Sequence, residues 1–193
     1  RVRTARGREL HTLSVDGEAL VCDNAACRRR YPIVDGVPLV VPDAAAHLSR
    51  WGTGVVEREL EPEAQALLAA AGPDDAPYPQ LVEHLSIYLD AHYGDRASPP
   101  PDGPGAGHAD ALVRALAGGT RRRVGSAVEL GCSVGRFAAQ LATTADQVVA
   151  LDLSHAALRR ARRLFAGEAL AYNRRVVGWH YTTAHVRAAA PGA

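Results

Sequence analysis

The spacing of apolar and polar positions divides the chain into three stretches. Residues 1–43 read as β. Glu18-Ala-Leu-Val-Cys22 is a short strand after the turn residues Asp16-Gly17, and a second strand follows around Tyr31-Pro-Ile-Val34. Asp35-Gly36 then makes a tight turn of the kind that joins hairpin strands, leading into Val37-Pro-Leu-Val-Val41. Pro32, Pro38 and Pro42 predict edge strands, because proline has no N–H to give a ladder. Residues 44–107 read as mostly helical with breaks. Helical apolar spacing runs over 57–71, with Pro62 starting a new helix inside it, and 80–93 sets Leu81, Leu85, Tyr88 and Leu89 on one face. The run 99–107 is a linker by its proline and glycine content.

Residues 108–193 carry the clearest order. A helix over 109–117 stops at Gly118-Gly119. Ser126-Ala-Val-Glu-Leu130 is a short apolar strand, Gly131-Cys-Ser-Val-Gly135 a turn, and 136–142 a helix. Gln147-Val-Val-Ala-Leu-Asp152 is a second buried strand, after which Ser154 caps a helix running to about Phe165. Strand, glycine loop, helix, strand, acid and helix in that order predict a parallel α/β sheet.

Composition narrows the classes. With 47% apolar and 22% charged residues, the 193-residue chain is neither disordered nor fibrous. No apolar run is long enough to span a membrane, and no signal-peptide pattern opens the chain. A net charge of +1 gives no electrostatic case for nucleic acid. Three cysteines, an odd count, fit a reducing cytoplasm rather than a disulfide framework. Methionine is absent, residue 1 is Arg and all basic residues are Arg, a bias that fits GC-rich coding. The expectation is a fragment.

The chemistry concentrates in Val128-Glu-Leu-Gly-Cys-Ser-Val-Gly135 and Val148-Val-Ala-Leu-Asp152. A glycine at a strand end lets the backbone turn sharply and approach a ligand with no Cβ in the way. The following helix points its first N–H groups at that ligand. Asp152, at the end of the next strand, can accept from both hydroxyls of a ribose. Glu129 can accept from a ligand ammonium. A dinucleotide fingerprint needs a central glycine that is absent between Gly131 and Gly135, and Glu129 would repel a pyrophosphate.

These residues resemble the first two motifs of class I S-adenosylmethionine-dependent methyltransferases. Glu129-Leu-Gly-Cys-Ser-Val-Gly135 matches the acid-and-glycine pattern, with Ser133 where a glycine is common, and Asp152 matches the acid of the second strand. The resemblance implies a Rossmann-like fold. It implies that Glu129 and the loop of Gly131, Cys132, Ser133 and Gly135 hold the methionine part of S-adenosylmethionine, and that Asp152 holds its ribose. The family continues with a third strand ending in an acid and a fourth carrying catalytic or substrate groups. Neither is legible after Asp152: Val176-Val-Gly-Trp-His-Tyr181 can be extended but ends in no acid. The expected architecture is therefore a truncated Rossmann-like sheet over 108–193, with no assignable catalytic residue and an unidentified methyl acceptor.

The N-terminal stretch has its own resemblance. Leu20-Val-Cys22, Cys27 and Tyr31-Pro-Ile-Val-Asp-Gly-Val-Pro38 are similar to the second half of a small zinc-ribbon-like family that activates, or is fused to, methyltransferases. Cys22 and Cys27 give two of the four ligands a structural zinc needs, at wide spacing, so no metal is expected; a lone His11 reads as a surface residue. The organisation expected is a β module over 1–43, a helical connector and linker over 44–107, and the cofactor domain over 108–193. Arg28-Arg-Arg30 and Arg121-Arg-Arg123 read as solvated faces, and Arg159, Arg160, Arg162 and Arg163 as the exposed side of their helix. Cys132 reads as a small residue in a tight turn. His92 and Tyr93 end a helix that the resemblance to fused enzymes of this kind implies can lie over the cofactor, which makes them candidates for cofactor or substrate contact. Two other functions stay open: a non-catalytic adaptor that binds a partner methyltransferase through the β module, and a nucleotide-binding oxidoreductase.

Overall fold

The computed structural model describes residues 11–56, 77–100, 123–177 and 180–187, together with Glu63, Ala64, Leu67 and Ala115. The chain divides into two units, residues 1–57 and 58–193.

In the first unit, β1 (Leu13–Asp16), β2 (Ala19–Cys22), β3 (Arg30–Val34) and β4 (Val37–Pro38) form an antiparallel sheet in sequence order. The two-residue reversals are built from left-handed backbone: Gly17 between β1 and β2, and Asp35 (φ 50°) with Gly36 (φ 73°) between β3 and β4. In the second of these, left-handed residues at both central positions match the twist of the flanking strands. The first strand, β1, is not legible in the sequence pattern, since all four of its side chains are exposed. The strand after Asp35-Gly36 stops at Pro38 rather than reaching Val41.

Pro32 corrects the edge-strand expectation, because β3 lies inside the sheet. It pairs with β2 through Arg30–Pro32 and with β4 through Ile33 and Val34. The Pro32 carbonyl accepts from Leu39 N–H at 2.9 Å, beyond the last β4 pair. Within a strand the nitrogen and carbonyl of one residue face the same side. The ring nitrogen therefore faces past the end of β4, and no bond to β2 is lost. Helix α1 (Ala44–Val56) comes next, its first turn capped by Asp43, whose carboxylate accepts from Ala46 N–H at 2.9 Å.

In the second unit, α2 (Pro77–Tyr93) ends in a short 3-10 turn at Gly94–Arg96. Then come β5 (Val124–Leu130), α3 (Arg136–Leu141), β6 (Ala145–Leu151) and α4 (His155–Phe165). β5 and β6 are parallel, in a register that sets Val128 beside Val149 and Leu130 beside Leu151. Ser154 caps α4 by accepting from Ala157 N–H, as the sequence predicts. The predicted helices over 57–71 and 109–117 and the residues Arg121 and Arg122 lie largely outside the described residues.

The chain leaves α4 into an antiparallel hairpin rather than a third parallel strand. β7 (Ala169–Val177) and β8 (His180–Arg187) pair with each other, separate from the β5–β6 sheet. The inner face of the hairpin carries Leu170, Tyr172, Ala184 and Val186, which join Leu85, Leu89 and Tyr93 of α2 and Leu164 of α4 in the buried core. A polar staple crosses that contact. Asp90 of α2 accepts from the Tyr172 hydroxyl at 2.6 Å and from Arg174 Nε at 2.7 Å, while Arg174 Nη1 donates to the Pro99 carbonyl at 2.8 Å. The polar Arg174, 7% exposed, interrupts the apolar alternation that would otherwise announce the strand.

The two faces of the β5–β6 pair differ. Glu129 faces α3, accepting from Ala138 N–H. Val128, Leu130, Val149 and Leu151 share the other face and are all exposed. A second correction concerns α4: Arg160 is buried, on the same side as Ala157, Ala161 and Leu164 rather than on the solvent side.

Candidate functional site

The loop 131–135 leaves β5 with three left-handed residues, Gly131 (φ 76°), Ser133 (φ 50°) and Gly135 (φ 81°). Such a backbone is costly for any residue with a Cβ, by about 1–2 kcal/mol, and Ser133 carries that cost. The loop is fastened to several parts of the second unit. Gly131 and Cys132 donate to the Leu151 carbonyl at 2.8 and 3.0 Å. Ser133 N–H donates to Asp152 Oδ2 at 2.8 Å. The Val134 carbonyl accepts from the Tyr93 hydroxyl at 3.1 Å. Gly135 lies so close to α4 that a Cβ there would stand 2.6 Å from Phe165 Cζ and 3.0 Å from Ala161 Cβ.

The six residues singled out from sequence come together here. Asp152 uses both oxygens locally, Oδ2 for Ser133 N–H and Oδ1 for Ser154 N–H at 2.7 Å. Each carboxylate oxygen keeps a further lone pair, so the group can hold the loop and still accept from a ligand. Glu129 sits one strand away. Burial, offset in part by the Ala138 N–H bond and reinforced by the Asp152 charge, raises its pKa above the usual carboxylate value. Its Oε2 is shielded from water and has no hydrogen-bond partner among the described residues. A buried acceptor left unpaired costs about 1–3 kcal/mol, which a ligand donor placed there would recover. Cys132 is 1% exposed, and burial pushes its thiol up to about 11, so it is an uncharged filler of the turn at neutral pH.

The end of α2 meets the loop. Tyr93 is fully buried, its hydroxyl raised to about 12 by burial. Arg136, the first residue of α3, is 2% exposed; its Nη2 donates to Asp95 Oδ2 at 2.9 Å and its guanidinium lies 5.2 Å from the Tyr93 ring centre. Sequence reasoning missed Arg136 and Asp95. The available signal was a cation in the first turn of a helix, where the dipole disfavours it and a nearby anion must offset it. His92 packs its ring edge-on to Phe137 at 5.6 Å and beside Tyr88 at 6.0 Å. Burial, aided by the Arg136 charge, lowers its tendency to protonate, and its Nδ1 is shielded with no hydrogen-bond partner among the described residues.

In the first unit, Cys22 is half-buried and Cys27 exposed. His11 Nδ1 lies 3.3 Å from Asp23 and its Nε2 3.2 Å from the Asn24 amide. Among the described residues no three His, Cys, Asp or Glu side chains cluster as a metal site would require, and no helix is long and apolar enough to cross a membrane.

Residues 128–186 match the model of a family described as a methyltransferase domain, a match that spans the loop, both acids and the β7–β8 hairpin. No curated protein matches the chain.

Proposed function

We propose that the second unit binds S-adenosylmethionine and serves methyl transfer to an acceptor that the chain does not identify. The observation that carries the reading is the unpartnered Glu129 Oε2 beside a left-handed glycine loop. The residues present fit the cofactor's chemistry. Glu129 would take the ammonium of its amino-acid end, the 131–135 loop would admit that end closely, and Asp152 would accept from the ribose hydroxyls. When bound, the cofactor supplies an electrophilic methyl group on a sulfonium. The chain contributes position: a loop fixed at each residue presents its ligand in one orientation, which lowers the entropic part of a transfer barrier. Two carboxylates beside one loop favour a cationic ligand over a pyrophosphate, against an oxidoreductase reading. We read the first unit as a small module of the zinc-ribbon-like, methyltransferase-activating type, on the Tyr31-to-Pro38 hairpin it resembles, and the protein as working in a reducing cytoplasm.

The test is a ligand-observed NMR titration of the full chain with S-adenosylhomocysteine and, separately, NAD. The first should bind and the second should not. Asp152→Ala should weaken S-adenosylhomocysteine binding by about 1–3 kcal/mol, the range for polar groups left unpaired. NAD binding in preference to S-adenosylhomocysteine, or unchanged affinity in the variant, would sink the assignment.

A further inference from the structure

The stretch 90–99, the last turn of α2 and the residues after it, is gripped at both ends by the β7–β8 hairpin. Arg174 of β7 is 7% exposed. Its Nε donates to Asp90 Oδ1 at 2.7 Å and its Nη1 to the Pro99 carbonyl at 2.8 Å. Its Nη2 donates at 3.0 Å to the Tyr172 hydroxyl, which in turn donates to Asp90. Ser98 and His185 of β8 exchange N–H and carbonyl bonds at 2.8 and 2.9 Å. Between these grips the same stretch reaches the glycine loop. The Tyr93 hydroxyl donates to the Val134 carbonyl at 3.1 Å, and Asp95 accepts from Arg136, the first residue of α3. The peptide joining Val134 to Gly135 is held at both ends. Its N–H donates to the Cys132 carbonyl at 2.8 Å, inside the loop, whereas its own carbonyl is held by Tyr93. Ser133, just before it, keeps a left-handed backbone at a cost, so the loop needs its outside contacts to hold this shape. Leu89, Tyr93, Val134, Leu170 and Tyr172 share one buried core, and close packing passes a displacement of the hairpin on to α2 and the loop.

We propose that Arg174 positions the ligand-binding loop from a distance: by gripping Asp90 and Pro99 it fixes the stretch between them, and through Tyr93 it fixes the Val134 carbonyl. Arg174 is a positioning residue, not a ligand contact, and the hairpin is the strap that keeps the loop in its binding shape. The proposal rests on the cofactor reading above. Arginine suits the task because its planar fork presents several donors in fixed directions, which an ammonium on a flexible stem does not. By linkage, a ligand that needs the loop in this shape tightens the hairpin as much as the hairpin tightens the ligand.

The test is a double-mutant cycle on the full chain, read as S-adenosylhomocysteine affinity by ligand-observed NMR below the melting transition of each variant. Arg174→Lys keeps the charge but not the fork, and should weaken binding by about fivefold or more, the low end of coupling between linked sites. Tyr93→Phe cuts the link at the loop and should weaken binding as well. Adding Arg174→Lys to Tyr93→Phe should cost little more, because both act through one contact. A staple that only stabilises the fold would give no loss in folded Arg174→Lys, or losses that add. A second readout is the Arg174 Nε–H resonance, which should shift when the ligand saturates wild type and stay in place in Tyr93→Phe. That resonance decides the matter should Arg174→Lys fail to fold. Unchanged affinity in Arg174→Lys, additive losses, no shift of the resonance in wild type, or an equal shift in Tyr93→Phe would overturn the proposal and leave the cofactor reading in place. Wild-type chain that does not bind S-adenosylhomocysteine removes the cofactor reading, and this proposal with it.

Discussion

The loops 131–135 and 22–28 both turn on left-handed residues and both carry cysteine, but they are held by different means. In the first, strand, helix and carboxylate partners from β6, α2, α4 and Asp152 fasten successive residues, and much of the loop is buried. The second is held mostly by itself. Asn24 accepts from Cys27 N–H and Arg28 N–H at 2.9 Å through its carbonyl and from Ala26 N–H at 2.9 Å through its side chain. Asp23 takes both the backbone and the hydroxyl of Thr12, in the open. A turn can thus be specified locally, whereas a loop packed among buried groups is fixed from outside, by partners distant in the chain that satisfy its polar groups.

The largest expected break of that contrast is steric. Gly135→Ala adds a Cβ 2.6 Å from Phe165 Cζ at a left-handed φ. Backbone strain of about 1–2 kcal/mol and overpacking of about 1–3 kcal/mol should both appear in urea denaturation. Gly17→Ala in the first unit has φ 59° but nothing within 4 Å, so only the strain should be seen. Equal losses at the two glycines would mean that α4 yields to the loop.

Next comes the hydroxyl that holds the Val134 carbonyl. Tyr93→Phe keeps the ring beneath Arg136 and removes one buried hydrogen bond, a loss of about 1–2 kcal/mol. Thr12→Val removes an exposed bond to Asp23 and should fall within about 0.5 kcal/mol of wild type, as surface changes do. Chemical denaturation of both variants checks the pair.

The two regions should also respond to pH with opposite sign. Glu129 has its folded pKa raised, chiefly by burial. Its ionisation therefore opposes folding, and stability falls as pH rises from about 4.5, the ordinary value, through the folded one. Asp23 has its folded pKa lowered, chiefly by the Thr12 hydroxyl. Its contribution is present above 3.8 and lost as pH falls through the lower folded value. Thermal melts from pH 3 to 7 should show Glu129→Gln more stable than wild type at neutral pH, and Asp23→Asn losing less stability than wild type as pH falls below 3.8. Glu129→Gln should at the same time weaken S-adenosylhomocysteine binding by about tenfold, the loss of one charge-assisted bond. A variant that loses both stability and affinity would show that Glu129 supports the fold rather than a ligand.

The smallest effect should erase the contrast. Ser133 (φ 50°) and Arg28 (φ 45°) are both left-handed without being glycine. Replacing either with Gly relieves strain that belongs to one residue's own backbone, less the entropy glycine loses on folding, a net gain of about 0–1 kcal/mol. The two gains should agree, and a marked difference between them in denaturation midpoints would place part of the Ser133 strain in its bond to Asp152.

The sequence by itself determined what is local. The Asp35-Gly36 reversal, the Ser154 cap, the glycine loop and the strands flanking it each depend on residues within one turn or one pleat of each other, so their signals survive without knowledge of the rest of the chain. Glu129 and Asp152 were legible for the same reason, each standing at or beside the end of an apolar strand. Only the tertiary structure decided which distant groups complete them. Tyr93 meets Val134, and Arg136 meets Asp95, across 41 positions. Asp90 meets Tyr172 and Arg174 across 82 and 84, which turns an unpromising polar stretch into a buried hairpin. Pro32 lies inside its sheet and Arg160 inside its core because partner strands and facing helices set those places, not propensity. Burying a charge or hydroxyl is unfavourable until a specific partner arrives, and no spacing along the chain says where in the fold that partner will stand.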